Sequence, residues 1–226
     1  MGHVVRREPW GVVDLDTDRG HVFVRQDWQY HWTNDSAVPP WTLAERHAFH
    51  HALDRLIWTH WSFRTRVEAR GITPAGSREI ARYEGKGLTL SFDVRRVRLE
   101  PQWNVHVTNV DPNRRKLLRA DTNFERRSIN LFSTDVTPVR AGRYVGDPML
   151  SRPAAFYVAP HEFGHALGYC YARGDGEEYD LGHPYFQDVS SLMNVGREVR
   201  PRHIRLIIET LRQMVPGAQF TATVVQ

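Results

Sequence analysis

The 226-residue chain is poor in two reactive side chains: it has one cysteine, Cys170, and two lysines, Lys86 and Lys116. A lone thiol excludes an intrachain disulfide and a structural zinc cage built from several cysteines. Cys170 reads most simply as a small buried side chain. No apolar run approaches the ~18 residues that a membrane helix needs. The N-terminal stretch MGHVVRREPWGVVDLD has no apolar core of the kind a signal peptide carries. We therefore expect synthesis in the cytoplasm and, for any export, a route other than the general secretory one. Internal repeats, low-complexity tracts and obvious linkers are also missing.

What is present fits a folded globule. Hydrophobic residues make up 41% of the chain and aromatics 11%, enough for one sizeable core at this length. The formal charge of +4 is mild and almost all of the basic charge is arginine. Arginine in place of lysine fits a GC-rich genome, or lysine avoidance in an effector that works inside ubiquitin-using cells. Two short basic clusters, Arg95-Arg96-Val97-Arg98 and Arg114-Arg115-Lys116, read as solvated strand and loop faces, so nucleic acid is not an expected partner.

Periodicity predicts the elements. Residues 21–32 alternate as a strand, and Val38-Pro39-Pro40-Trp41 breaks it. Thr42 and Glu45 form a capping box ahead of a helix over about Leu43 to Arg64, with Ala48, Ala52, Leu56 and Trp58 to Phe63 as its apolar stripe. His47 and His51 lie one turn apart on it, but lack a catalytic partner and read as surface groups. Residues 71–76 read as a turn; 87–99, 103–110 and 128–134 read as strands; Pro138 to Pro153 is a long loop. A last helix over about Pro201 to Met214 presents Ile204, Ile207, Ile208 and Leu211, and Pro216-Gly217 stops it. This order predicts an α+β or mixed α/β domain.

The stretch APHEFGHALGYCYARGDGEEYDLGHPYFQDVSSLMNVG carries the chemistry. His161, Glu162 and His165 stand as H-E-x-x-H. On a helix, positions i and i+4 share a face, so both imidazoles can hold one ion. Glu162, beside the first histidine, can reach a metal-bound water and take its proton. Pro160 suits a first helical turn, and Gly168 suits a left-handed helix stop.

HEFGHALGY resembles the HExxHxxGxx(H/D) signature of the metzincin zinc proteases, and Ser191-Leu192-Met193-Asn194 resembles their Met-turn. The resemblance implies an α+β zincin fold with a mixed twisted sheet, a long N-terminal helix, an HExxH active-site helix and a C-terminal helix. It implies one catalytic domain over 1–226, with an upper subdomain at about 20–168 and a lower one at about 169–226. It implies a Zn2+ cofactor on His161 and His165, Glu162 as general base, and Met193 beneath the metal without ligating it. It also implies an extended peptide or protein as substrate, lying along residues 128–134 as the sheet edge.

Where the family carries its third ligand this chain has Tyr171, and a phenol with pKa ~10 is a poor ligand at neutral pH. The segment between Gly168 and the Met-turn offers Asp175, Glu177, Glu178, Asp180 and His183 instead. His183, a neutral imidazole in a stiff Gly-His-Pro turn, is the favoured third ligand; an acidic residue of the loop is the next choice. Tyr171 or Tyr185 is a candidate donor to an oxyanion.

Three functions fit these residues. The first is a zinc endopeptidase, with a zinc amidase acting on cell-wall peptides as its variant. The second is an inactive metzincin-like binding protein, motivated by Tyr171 but opposed by the intact Glu162. The third is a basic nucleic-acid-binding domain, whose affinity would fall steeply with salt. Scarce lysine, no disulfide and no secretory signal also fit an effector or toxin cargo held in check by an immunity or inhibitor protein.

Overall fold

The computed structural model describes residues 2–113, 119–140 and 155–225. The basic cluster at 114–116 and most of the loop expected from Pro138 to Pro153 lie outside them. The architecture is mixed α+β, with a nine-stranded mixed sheet and four helices. In chain order the strands are β1 (His3–Glu8), β2 (Gly11–Asp16), β3 (His21–Asn34), β4 (Thr65–Gly71), β5 (Leu88–Arg96), β6 (Trp103–Asn109), β7 (Asp121–Asn123), β8 (Ser128–Phe132), β9 (Val139–Arg140), β10 (Ala155–Phe156) and β11 (Ala218–Val224). The helices are α1 (Leu43–Trp61), α2 (Pro74–Ile80), α3 (Val158–Ala166) and α4 (Arg205–Met214). β9 and β10 form a separate two-stranded pair.

β3 is the hub. Its residues alternate, so Val22, Val24, Gln26 and Trp28 are buried on one face. Along one edge it pairs in parallel with β5, from His21↔Thr89 to Trp28↔Arg96. Its other edge takes β2 antiparallel, then β6 in parallel from Trp28↔Trp103 onward. The sheet runs β11-β4-β5-β3-β6-β8-β7, with β1 and β2 branching off β3. A continuous run of buried strand residues, including Leu90, Phe92, Trp103, Val105 and Ile129, faces α1 and α3.

β8 matches the strand expected at 128–134, but it is not the edge. β6 pairs with one side of it and antiparallel β7 with the other, so β7 closes this end of the sheet. Three residues are too few for a periodic signal, which is why β7 is silent in the sequence. β1, β2, β4, α2 and β11 were likewise not anticipated. The Gly71–Gly76 turn contains the start of α2, capped by Thr73.

The capping box of α1 is formed, with Thr42 Oγ1 accepting from the Glu45 amide and the Glu45 carboxylate accepting from the Thr42 amide. The buried stripe is Phe49, Leu53, Ile57 and Trp61, one position away from the one expected; Ala48, Trp58 and Phe63 are exposed. Every fourth residue is apolar on both faces over this stretch, so the spacing does not choose between them. His47 and His51 are exposed. The helix stops at Trp61, where Ser62 turns extended and Phe63 adopts φ 61°. α4 buries Ile207, Ile208 and Leu211 as expected, and Ile204 is buried in the 3-10 turn Pro201–Ile204 that leads into it. Among the described residues, no helix is long and apolar enough to cross a membrane.

α3 has nine residues and no side-chain N-cap. Isolated helices shorter than ~12–15 residues are marginal, so tertiary contacts must hold this one. Pro160 lies in its first turn, where a missing N–H costs nothing. Trp61, at the end of α1, donates its indole N–H to the Pro160 carbonyl at 2.9 Å. Buried Gln26 donates to the Ala166 carbonyl at 2.9 Å and accepts from the Trp28 indole at 2.9 Å. Phe163 packs among Trp28, Trp61 and Phe92 with ring centroids 5.7–6.3 Å away. Replacing Gln26 with leucine strands the Ala166 carbonyl and the Trp28 N–H in the core. Each orphan costs ~1–3 kcal/mol, so we expect Gln26→Leu to lose roughly 2–4 kcal/mol in urea unfolding at an unchanged m value. A loss under ~0.5 kcal/mol, within the range of an ordinary surface change, would show that the clamp carries nothing.

Candidate metal centre

α3 places His161 and His165 on the face turned towards the segment that follows it. The helix ends at Ala166, and the chain turns at Gly168, whose φ of 93° lies in the left-handed region. The Gly168 N–H bonds the His165 carbonyl, and the Tyr169 N–H reaches back to that of Gly164 at 3.2 Å. The chain then folds into a single 3-10 turn, Tyr171–Arg173, closed by left-handed Gly174. This turn sends Tyr171 outward, 64% exposed, where its hydroxyl bonds Asp180. Tyr171 is not among the metal-competent side chains gathered at the histidines.

The third partner is Glu177. His161, His165 and Glu177 are all buried and form the one group of metal-competent side chains among the described residues. Glu177 Oε2 lies 3.0 Å from His161 Nε2 and 3.3 Å from His165 Nε2, and the two nitrogens are 3.2 Å apart. A tetrahedral zinc at about 2.0–2.1 Å from each ligand needs those atoms ~3.3 Å apart. The triangle fits such an ion without rearrangement. Both ring orientations are fixed from behind. His161 Nδ1 bonds the Leu192 carbonyl at 3.0 Å and His165 Nδ1 the Tyr169 carbonyl at 2.5 Å, so each Nδ1 carries the proton and each Nε2 faces inward.

His183 is not part of this group. Its ring lies tilted against Tyr185 at 5.7 Å, and its Nδ1 accepts from the Tyr185 amide. The other members of the loop are engaged elsewhere. Asp175 pairs with Arg205 at 2.8 Å and Asp180 with Tyr171. Glu178 is fully buried and takes bonds from Tyr169, His203 and both nitrogens of the Arg202 fork. Burial opposes its charge, but the bonds from His203 and Arg202 outweigh burial and hold its carboxyl well below the usual range. With Glu178 anchored towards α4 and its N–H on the Met193 carbonyl, the neighbouring Glu177 projects the other way, onto the histidines. Ligand quality alone favoured His183. Arg202 and His203, over twenty residues downstream of Glu178, gave no local signal.

Met193 is fully buried under α3. A Cβ at Gly164 would overlap its sulfur, so the helix and the Met-turn meet at van der Waals contact. Asn194 Nδ2 bonds the Glu178 and Phe186 carbonyls, fastening the ligand loop to the turn. Glu162 is buried beside His161, and Thr122 of β7 donates to its Oε2 at 2.8 Å. Burial raises the Glu162 carboxyl above its ordinary value, against the opposing charges of His165 and His161. A cleft of about 310 Å³ opens beside the group, walled by Thr122, Asn123, Phe124, Cys170 and Tyr171, with His165 and Glu177 in its lining. Tyr185 stacks under the Arg202 guanidinium at 3.9 Å. Neither Tyr185 nor Tyr171 is engaged with the histidines; Tyr179, which the sequence reading did not single out, stacks on His161 at 6.0 Å.

No family model, curated protein or solved structure matches the chain.

We expect Glu177→Ala to weaken zinc binding by more than ~100-fold, beyond the ~10–100-fold typical of losing an outer-shell partner, while His183→Ala binds as the parent does. Competition with a chromogenic chelator checks both; the reverse pattern would return the third ligand to His183. Without metal, burial disfavours charge on His165, yet the Glu177 hydrogen bond and the Glu162 and Glu177 charges outweigh it and raise its pKa to about 9. Zinc must displace that proton. Apparent affinity should therefore rise ~10-fold per pH unit below about 9 and level off above it, with one proton released near neutrality. Calorimetry in buffers of different ionisation enthalpy counts the proton, and a flat profile from pH 6 to 8 would contradict the assignment.

Proposed function

We propose that the chain is a zinc-dependent endopeptidase with Glu162 as general base. The observation that carries the reading is the 3.0–3.3 Å triangle of His161, His165 and Glu177 beside a cleft, with the Glu162 carboxylate held next to it by Thr122. The two imidazoles and the carboxylate would hold a zinc ion, which when bound would supply Lewis acidity towards a carbonyl and a more acidic water. Glu162 takes the proton of the attacking water and returns it to the leaving amine. Thr122 fixes one carboxylate oxygen, leaving the other for that transfer. The edge of β7, which has no further strand beside it among the described residues, accepts an extended peptide by strand addition, which sets the scissile carbonyl across the cleft.

The finer reading of the fold as metzincin-like is supported by three features: the mixed β5-β3-β6-β8-β7 portion of the sheet, the left-handed stop at Gly168, and Met193 beneath the helix. Glu177 departs from that family's ligand pattern. It also removes the motive for an inactive binding protein, since Tyr171 leaves no ligand missing.

Glu162→Gln should keep stoichiometric zinc and lose peptide-library cleavage by ~10²–10⁴-fold. Retained cleavage would remove Glu162 as the base. Loss of zinc together with activity would show that Glu162 serves the metal instead.

A further inference from the structure

Glu177 has two carboxylate oxygens, and only one faces the histidines. The other, Oε1, accepts from Arg119 Nη2 at 3.1 Å. The same nitrogen donates to the Tyr179 hydroxyl at 2.9 Å, so its two protons are divided between a ligand and a phenol. Tyr179 in turn hydrogen-bonds Glu177. The three groups are layered: the Arg119 guanidinium lies 5.9 Å from the centroid of the Tyr179 ring, and that ring stacks on His161 at 6.0 Å and 26°. Arg119 stands just before β7, on the wall opposite the loop that carries Glu177 and Tyr179. The contact therefore spans the cleft.

Resting on the metal reading above, we propose that Arg119, backed by Tyr179, is a positioning residue that holds Glu177 to one-oxygen ligation. A carboxylate free to turn can offer both oxygens to a cation. It would then occupy the position that a catalytic zinc keeps open for water. The guanidinium prevents this geometrically, because its planar N–H donors claim Oε1 in a fixed direction. The Arg119 side chain is 71% exposed while that of Glu177 is 9% exposed. An exposed partner contributes little to stability, so removing it changes the aim of a buried ligand and leaves the fold standing. A purely structural surface ion pair would leave the metal's coordination untouched.

The test compares Arg119→Met, Arg119→Lys and Tyr179→Phe with the parent, using zinc affinity and the visible absorption of the Co2+-loaded chain. Arg126→Met, an exposed arginine on the turn after β7, controls for lost charge. We expect Arg119→Met to change zinc affinity by ~10–100-fold, with cobalt bands shifted in position and intensity as Glu177 brings its second oxygen to the ion. Arg119→Lys should restore part of the parental affinity. Tyr179→Phe, which keeps the ring, should move both readouts in the same direction by less. Thermal unfolding of the metal-free variants should match the parent. Parental affinity with unchanged cobalt bands in Arg119→Met overturns the assignment, as does an equal change in Arg126→Met. A parent chain that takes up neither metal overturns this assignment and the metal centre together. A parent that binds metal but cleaves no peptide overturns the hydrolase reading alone.

Discussion

Everything at the site depends on the immobility of a nine-residue helix that cannot be stable alone. α3 lacks a side-chain cap, and it must present two imidazoles to within tenths of an ångström. The fold answers by gripping backbone rather than side chains. Trp61 holds a carbonyl of the first turn, and Gln26 holds one of the last. Both donors come from large buried elements, α1 and β3, so the helix inherits the rigidity of the sheet. Phe163 occupies the space between these grips, on the face opposite the histidines. A polar glutamine in the middle of the core is tolerated because both its donor and its acceptor are used.

The second constraint comes from the far side of the cleft. Glu178 is buried in a charged network with Arg202 and His203, and Asp188 links Arg202 to Arg200. Such networks are weak evidence for stability. Here the network fixes the direction in which the chain passes Glu178. That direction decides that Glu177 meets the histidines. Neighbouring glutamates thus divide two tasks, one anchoring the loop and the other completing the metal group.

Legibility in the sequence followed the range of the interactions. The capping box at Thr42, the left-handed stop at Gly168 and the strands around Val22, Leu90 and Val105 rest on neighbours in the chain, and all could be read there. The H-E-x-x-H spacing belongs to the same class. Glu177 depends on partners brought close only by folding, so the loop offered several equivalent acids and one attractive histidine. The apolar face of α1 was misplaced by one position for a related reason: two stripes were available, and packing against the sheet chose Phe49, Leu53, Ile57 and Trp61. The short edge strand β7 owes its existence to β8 rather than to its own composition.

The contact between Gly164 and Met193 has a consequence for descent. No side chain fits at position 164 while methionine fills the space below, because the nearest neighbours are that sulfur and the Trp61 ring. The second variable place of the motif is therefore not free in this chain. Residues 164 and 193 form a coupled pair: a related chain that gains a methyl group on the helix must shrink the residue in the turn.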